Sequence, residues 1–179
     1  MTALKYQNPE DTPYEIYIMR HGIAEDLGVG DAMHDSDRKL TDEGKDKMRK
    51  IARGLKRLGV ELDWIVSSPL RRARETAEIV SGVVGSKVPL DTCEALEPGE
   101  SDDRLFAFLA VHPERRRMLL VGHEPDVSML AARLMGAGRN VNLAFKKGAC
   151  CLIVSEEFPG RSRGRLAWWL TPRQLCAIG

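Results

Sequence analysis

The sequence predicts an α/β fold with a largely parallel central sheet. Short β-rich segments alternate along the chain with segments of helical periodicity, which is the pattern of repeated strand–helix–strand units. A length of 179 residues favours one domain and is enough to bury about two-thirds of the unfolded chain's surface without a disulfide or a metal. We therefore expect a single domain over residues 1–179, in which residues 1–13 form a loose lead-in.

The first half of the chain is predicted to alternate strand, helix, strand and helix. The predicted elements are a strand at residues 15–20, a long loop at 24–39, a helix from 41 to 59, a strand at 62–67 and a helix from 69 to about 84. Thr41 is a favourable N-cap because acidic residues follow it in the first turn, and Gly59 is a typical helix end. Pro69 is expected at the first position of its helix, where its missing N–H costs nothing.

The second half of the chain continues the alternation and ends in two strands. The predicted elements are a loop at residues 85–98 with a short strand at 88–90, a helix at 102–111, a strand at 118–121, a helix from 124–126 to about 136, and strands at 150–155 and 165–170. Strands that alternate with helices in this way place their carboxyl ends at one edge of the sheet, where ligands of such folds bind.

Composition and charge exclude several classes of function. Lys and Arg number 27 and Asp and Glu 26, so the net charge of +1 favours neither nucleic acid nor a membrane surface as a partner. The four cysteines form no C-x-x-C pair, and no leading apolar stretch or 18-residue apolar run is visible, so we expect reduced thiols and a cytoplasmic location.

Histidine and arginine side chains follow three of the predicted strands. The first strand ends in Arg20-His21-Gly22, the second is followed by Ser68, Arg71 and Arg72, and the third ends in Gly122-His123. Two histidines and two or three arginines are therefore expected to meet at one sheet edge, close to helix N-termini that favour anions. His34 and His112 lack this context and are expected on the surface or in loops.

This set of residues is suited to phosphoryl transfer. Arginine forks bind phosphate oxygens bidentately at any working pH, and a neutral imidazole is a competent nucleophile. Neighbouring arginines also disfavour the protonated form of a histidine. We expect no metal and no other cofactor, because arginine supplies the positive charge and the four histidines lack the ligand spacing of a metal site.

The same motifs resemble those of a known family. They are Ile18-Met19-Arg20-His21-Gly22-Ile23-Ala24, Asp37-Arg38-Lys39-Leu40-Thr41 with Gly44, Ser68-Pro69-Leu70-Arg71-Arg72-Ala73-Arg74-Glu75-Thr76-Ala77, Val121-Gly122-His123-Glu124-Pro125 and Trp169-Leu170-Thr171-Pro172. In this order they resemble the histidine phosphatase superfamily, which includes phosphoglycerate mutases and acid phosphatases. Within it the chain is similar to the short phosphohistidine phosphatases of the SixA type. The resemblance implies a three-layer α/β/α sandwich.

The resemblance also implies roles for individual residues. His21 would be the nucleophile that becomes phosphorylated, Arg20 and Arg72 would clamp the phosphoryl oxygens, and His123 would donate to the same group. Arg38, which precedes Leu40-Thr41, is a candidate for the pocket rim.

A proton donor for the leaving group is less obvious from the sequence. Many members of the superfamily take an acidic residue from the middle of the chain, and Glu97 lies in the corresponding region, although it is also compatible with an ordinary solvated loop carboxylate. A phosphohistidine N–P bond is labile and needs little acid assistance, whereas a sugar alkoxide needs a proton.

Three functions are compatible with these motifs. The first is a phosphatase, monomeric or weakly oligomeric, that acts on phosphohistidine in a partner protein, because the short chain has no evident cap insertion. The second is a phosphatase of a small metabolite, which the loop at residues 28–36 would cover. A mutase requires a more enclosed site. The third is a non-catalytic phosphate-binding module, against which the complete set of Arg20, His21, Arg72 and His123 argues.

Overall fold

The computed structural model of the protein describes residues 13–30, 32–137, 143–158 and 163–179. Residues 1–12 of the expected lead-in and residue 31 of the long loop lie outside the described residues. The elements in chain order are β1 (Tyr14–Arg20), α1 (Asp42–Arg57), β2 (Trp64–Ser67), α2 (Arg71–Val84), β3 (Leu90–Thr92), α3 (Asp102–Leu109), β4 (Arg117–Gly122), α4 (Asp126–Leu134), β5 (Cys150–Ser155), β6 (Arg165–Leu170) and α5 (Pro172–Ile178).

The strands form one mixed sheet in the order β3-β2-β4-β1-β5-β6. β1 pairs with β4, β4 with β2, and β2 with β3, all in parallel register. β5 and β6 add to the β1 side as antiparallel strands. The α/β class and the largely parallel sheet are thus confirmed, and the antiparallel strands occupy one edge.

Helices cover both faces of the sheet and complete three layers. Ile16 and Ile18 of β1 point toward α3 and α4, whereas Tyr17 and Met19 point toward α1, α2 and α5. This alternation is the two-residue period of a strand, with apolar residues on both faces because both faces are buried. The expected α/β/α sandwich is confirmed.

Several predicted boundaries move by a few residues, and one helix was not predicted. α2 begins at Arg71 rather than Pro69, because Leu70 keeps an extended backbone and is the N-cap. β3 lies at Leu90–Thr92 instead of 88–90, where its pairing with β2 sets its register. The helix α5 was missed, although Thr171 and Gln174 form a capping box at its start and Pro172 occupies its first turn.

The long loop after β1 is fixed at its two ends. An isolated antiparallel bridge joins Ala24 to Leu40, and between them Asp35–Asp37 form a single 3-10 turn. In the part of the chain that the structure describes, no helix is long and apolar enough to cross a membrane.

The start of α1 packs directly on the backbone that follows the first strand end. Thr41 caps the helix by accepting the Gly44 N–H at 2.9 Å, and its own N–H donates to the Ile23 carbonyl at 3.0 Å. A Cβ added to Gly44 would overlap that same carbonyl oxygen. α1 therefore supports the segment that carries His21, and only glycine permits the approach.

Gly44→Ala is accordingly expected to lower the free energy of unfolding by about 1–3 kcal/mol, the usual cost of overpacking. Gly82→Ala is the matched control, because nothing lies within 4 Å of an added Cβ in α2. That exchange is expected to stabilise the protein by up to about 1 kcal/mol through helix propensity. Urea unfolding monitored by circular dichroism measures both values. Equal stability of the two variants would contradict the close contact.

Candidate active site

The three strand ends singled out in the sequence are neighbours in the sheet. β4 lies between β1 and β2, and Arg20 is opposite Gly122 in the parallel register. Just beyond the strands, the His21 N–H donates to the Gly122 carbonyl at 3.1 Å, and the Ser68 N–H donates to the Val121 carbonyl at 2.9 Å. The backbone therefore brings both histidines to one point at the carboxyl edge.

The two histidine rings face each other in a buried site. Their centroids are 5.0 Å apart with an interplanar angle of 51°, and His21 and His123 are only 6% and 3% exposed. Nδ1 of His21 lies 2.7 Å from the Gly22 carbonyl oxygen. Because a carbonyl only accepts, Nδ1 carries the hydrogen of the neutral ring, and Nε2 keeps the lone pair.

The peptide that orients His21 is itself held by α2. The Gly22 N–H donates to Thr76 Oγ1 at 3.0 Å, and that hydroxyl donates to the Arg72 carbonyl at 2.7 Å. All three residues are buried or nearly so. The orientation of the His21 ring is thus fixed from the helix that also carries an arginine of the site.

Ser68 sets the protonation pattern of the second histidine. Its Oγ lies 2.9 Å from His123 Nε2 and accepts the Leu70 N–H at 3.3 Å. Because Ser68 is fully buried, its own hydroxyl hydrogen needs an acceptor, and Nε2 provides one. The neutral His123 ring then carries its hydrogen on Nδ1, which makes Nδ1 a donor.

Each arginine is held through its terminal nitrogens. Nη1 of Arg20 donates to the Phe145 carbonyl at 2.7 Å. Nη1 of Arg72 donates to the Asp35 carbonyl at 2.7 Å, and its Nη2 donates to the Asp35 carboxylate at 2.8 Å. In both residues the Nε atom is buried and has no partner in the described structure.

The site holds an unusual concentration of unsatisfied donors. Five buried side-chain nitrogen or oxygen atoms lack a hydrogen-bond partner in the described part of the chain, and three of them are here: Arg20 Nε, Arg72 Nε and His123 Nδ1. A buried polar group without a partner typically costs about 1–3 kcal/mol. Unsatisfied donors of this kind favour the binding of an anion.

Burial and positive neighbours keep both rings neutral. Burial is the main cause that lowers the pKa of His21 to about 3. Repulsion from His123 when that ring is protonated and from the Arg72 and Arg20 charges lowers it further, against the hydrogen bond to the Gly22 carbonyl, which raises it. Burial likewise lowers the pKa of His123 to about 4, with Arg72 as the next contribution. At neutral pH the lone pair of His21 Nε2 is therefore free.

Arg38 is joined to the histidine and arginine cluster through Asp35. Its Nε donates to the Glu25 carbonyl at 2.6 Å and its Nη1 to Asp35 Oδ1 at 2.9 Å. It reaches Arg72 only through Asp35, so its rim position is that of a residue that supports another one.

Glu97 lies near the site but is not joined to it. It follows the 3-10 turn Glu94–Leu96, whose Leu96 packs beside Gly122. Glu97 is half-buried, and in the described residues its carboxylate forms no hydrogen bond or ion pair with either histidine. Its role as a proton donor stays a prediction.

Four residues of the site were assigned no role from the sequence. They are Asp35, Ser68, Thr76 and Glu124. Ser68 and Thr76 stand in the motif around Arg72 at the end of β2 and in α2, so their position carried a signal. The carboxylate of Glu124 accepts the N–H of Phe145, the residue whose carbonyl holds Arg20. That link joins distant segments and leaves no local pattern.

A cavity of about 1160 Å³ opens beside Arg20. The cavity is lined by Glu124 and Met129 on the side of α4 and by Leu143 and Phe145 in the segment that follows α4. The cavity therefore adjoins the site on the side of Arg20. In the residues that the structure describes, no three His, Cys, Asp or Glu side chains are grouped so as to hold a metal ion.

Comparisons with known proteins agree with this geometry. The sequence model described as Histidine phosphatase superfamily (branch 1) matches residues 16–98. Phosphohistidine phosphatase SixA of Escherichia coli K12 is 32% identical over 163 residues, covering 90% of this chain and 96% of that protein. A probable phosphoglycerate mutase, GpmB, of Cronobacter sakazakii is 31% identical over 151 residues, covering 79% and 69%. The solved structure of protein histidine phosphatase SixA with tungstate matches at a TM-score of 0.76 and 28% identity, covering 90% and 99%.

Inorganic phosphate or vanadate is expected to stabilise the folded protein, because an oxyanion satisfies the unpaired donors. At 100 times its Kd the ligand should add about 2.7 kcal/mol to the free energy of unfolding. Arg20→Ala and Arg72→Ala should each lose most of this gain in a thermal-shift titration. Arg74→Ala is the control, because Arg74 lies on the exposed side of α2 and pairs with Glu78. An undiminished shift in both site variants would rule out the clamp.

Proposed function

The chain belongs to the histidine phosphatase superfamily, and on this basis we propose that it is a metal-independent phosphatase that forms a covalent phosphohistidine on His21. The observation that carries the proposal is the buried pair of neutral histidines surrounded by three unpaired donors. Such an arrangement combines a nucleophile with preorganised compensation for phosphoryl charge.

In the first step Nε2 of His21 attacks phosphorus. A bond from Nε2 to phosphorus forms, and the bond from phosphorus to the leaving group breaks with its electron pair on the leaving atom. The Nε–H groups of Arg20 and Arg72 and the Nδ1–H of His123 donate to the phosphoryl oxygens, whose negative charge they offset. The guanidinium groups keep their charge at every working pH, so no metal is required for this purpose.

In the second step water attacks the phosphorylated histidine. The bond from oxygen to phosphorus forms, the bond to Nε2 breaks, and the electron pair returns to His21. Both protons of the water stay on the product, which leaves as dihydrogen phosphate. The Gly22 carbonyl holds the Nδ1–H throughout, so the ring returns to the tautomer in which Nε2 is free.

Phosphohistidine in a partner protein is the substrate that we favour. The similarity to phosphohistidine phosphatase SixA extends over 96% of that protein and supports this choice. A labile N–P bond also needs little acid assistance, so this substrate does not require a proton donor such as Glu97.

A small phosphorylated metabolite is the alternative. Its support is the long loop, whose Asp35 reaches across the site to Arg72, together with the similarity to a probable phosphoglycerate mutase. A non-catalytic phosphate-binding module is the third possibility, and the detection of a phosphoenzyme distinguishes it from the other two.

A phosphoenzyme on His21 is the expected outcome when the protein meets an activated aryl phosphate in EDTA. Intact mass measured at neutral pH, without an acid quench, should show one added phosphoryl group or steady turnover. His21→Ala should show no adduct and lose at least about a thousandfold in turnover, because the nucleophile is missing.

His112→Ala is the control for this experiment, because His112 is exposed and lies beside Glu114 away from the site. It should behave like the wild type. Retained turnover in His21→Ala would remove the proposed nucleophile, and a wild type without adduct or turnover would favour the phosphate-binding module.

A panel of substrates is expected to show the fastest turnover with a phosphohistidine-bearing phosphotransfer protein. Free phosphohistidine should follow, and sugar phosphates should be slowest, because an alkoxide leaves poorly without an acid. Steady-state kcat/KM for each substrate is the measurement.

The variant Glu97→Gln, measured with the same panel of substrates, tests the role of Glu97 as proton donor. If Glu97 is the proton donor, the variant slows sugar phosphates by at least about tenfold and leaves phosphohistidine unaffected. Equal effects on both classes would contradict that role, and a wild-type preference for one sugar phosphate would contradict the protein substrate.

A further inference from the structure

Asp35 contacts the arginine clamp although the two-step reaction does not use it. Its carbonyl accepts from Arg72 Nη1 at 2.7 Å, and its Oδ2 accepts from Nη2 at 2.8 Å. Both terminal nitrogens of Arg72 are thus bound by one residue of a loop 37 positions earlier in the chain. The Nε–H of Arg72 is left without a partner.

The carboxylate of Asp35 also bridges to a second arginine. Oδ1 accepts from Arg38 Nη1 at 2.9 Å, and Arg38 is held in turn by the Glu25 carbonyl at 2.6 Å. Partial burial alone would raise the pKa of Asp35, but the hydrogen bonds and charges of Arg38 and Arg72 lower it below its usual value. The bridge therefore stays ionised at neutral pH.

This bridge contributes little to the folded core. The side chain of Asp35 is 52% exposed, and the turn Asp35–Asp37 buries none of its residues. Arg72, by contrast, has only 5% of its side chain exposed. A change at Asp35 consequently alters the surroundings of a buried arginine without opening a cavity.

We propose that Asp35 is a positioning residue for phosphate recognition: it holds the terminal nitrogens of Arg72 so that the free Nε–H points to a phosphoryl oxygen. Arg38 acts on the site by holding Asp35. The inference rests on the proposed function to the extent that the site binds a phosphoryl group. Two bonds at the terminal nitrogens orient the planar guanidinium, whereas a single bond would leave it free to rotate.

If Asp35 instead competed with phosphate for Arg72, its removal would have the opposite effect on phosphate binding. A carboxylate on an arginine resembles a bound phosphate, so Asp35 would compete with the ligand if it had to leave. The position of the bonds argues against competition, because one of them comes from the backbone carbonyl and neither uses the Nε atom. Removing a competitor would tighten phosphate binding, and removing a positioning residue weakens it.

The test compares Asp35→Ala and Asp35→Asn with the wild type in calorimetric titrations with inorganic phosphate and in kcat/KM for an aryl phosphate. Asp35→Ala should weaken phosphate binding about tenfold, the loss expected for one charge-assisted hydrogen bond. Asp35→Asn retains a neutral acceptor and should lose only about threefold. Asp35→Ala removes the partner of the buried Arg72 Nη2 and is expected to lower the melting temperature, so both variants are titrated at a temperature at which they are fully folded.

Asp37→Asn is the matched control from the same turn. Asp37 accepts from the His34 N–H and from the Ser36 hydroxyl, both at 3.2 Å, and in the described structure its carboxylate forms no hydrogen bond or ion pair with Arg38 or Arg72. It should bind phosphate like the wild type. Asp35→Ala placed in an Arg72→Ala background should cause no further loss, because the effect passes through Arg72.

Tighter phosphate binding in Asp35→Ala, unchanged binding, or losses that add fully to those of Arg72→Ala would each overturn the positioning role. A wild type that binds phosphate but shows neither a phosphoenzyme nor turnover would remove the proposed function and leave this inference standing. A wild type that binds no phosphate would overturn both.

Discussion

Parallel pairing of β1, β4 and β2 is the constraint on which the rest of the structure depends. Because both faces of this sheet are buried, the middle residues of these strands are apolar, and the polar residues Arg20 and Ser67 are the last paired residues of β1 and β2. His21 and His123 follow adjacent strands and so have their backbones fixed by sheet hydrogen bonds. The distance between the two rings is therefore a property of strand spacing, with little contribution from flexible loops.

Burial at this edge of the sheet has two effects, and both favour phosphoryl transfer. It removes water from the histidines, which lowers the pKa of each ring and keeps it neutral. It also leaves Nε of Arg20 and of Arg72 without partners, which is unfavourable until an anion arrives. The unpaired donors therefore lower the stability of the free protein. Because they are buried, they also interact with an oxyanion more strongly than exposed donors would.

Local chemistry made much of the fold and site predictable. Thr41 and Gly59 mark the helix ends where they were expected, and Arg20, His21, Arg72 and His123 meet at one edge. What escaped prediction depends on contacts between distant segments: the register of β3, the bridge from Asp35 to Arg72, and the link from Glu124 to Phe145. Residues so far apart leave no periodic signal. The helix α5 is different, because its capping box was present and overlooked.

The two arms of the clamp are anchored by different kinds of atom. Arg20 donates to a main-chain oxygen, that of Phe145, which every amino acid at that position would supply. Arg72 depends in part on a side-chain oxygen, that of Asp35, which a single codon change can delete. The Arg20 arm depends on a side chain only indirectly, through the Glu124 carboxylate that accepts the Phe145 N–H, whereas the Arg72 arm depends on one directly. Divergence among relatives in how tightly they bind phosphate should then accumulate first on the loop that faces Arg72.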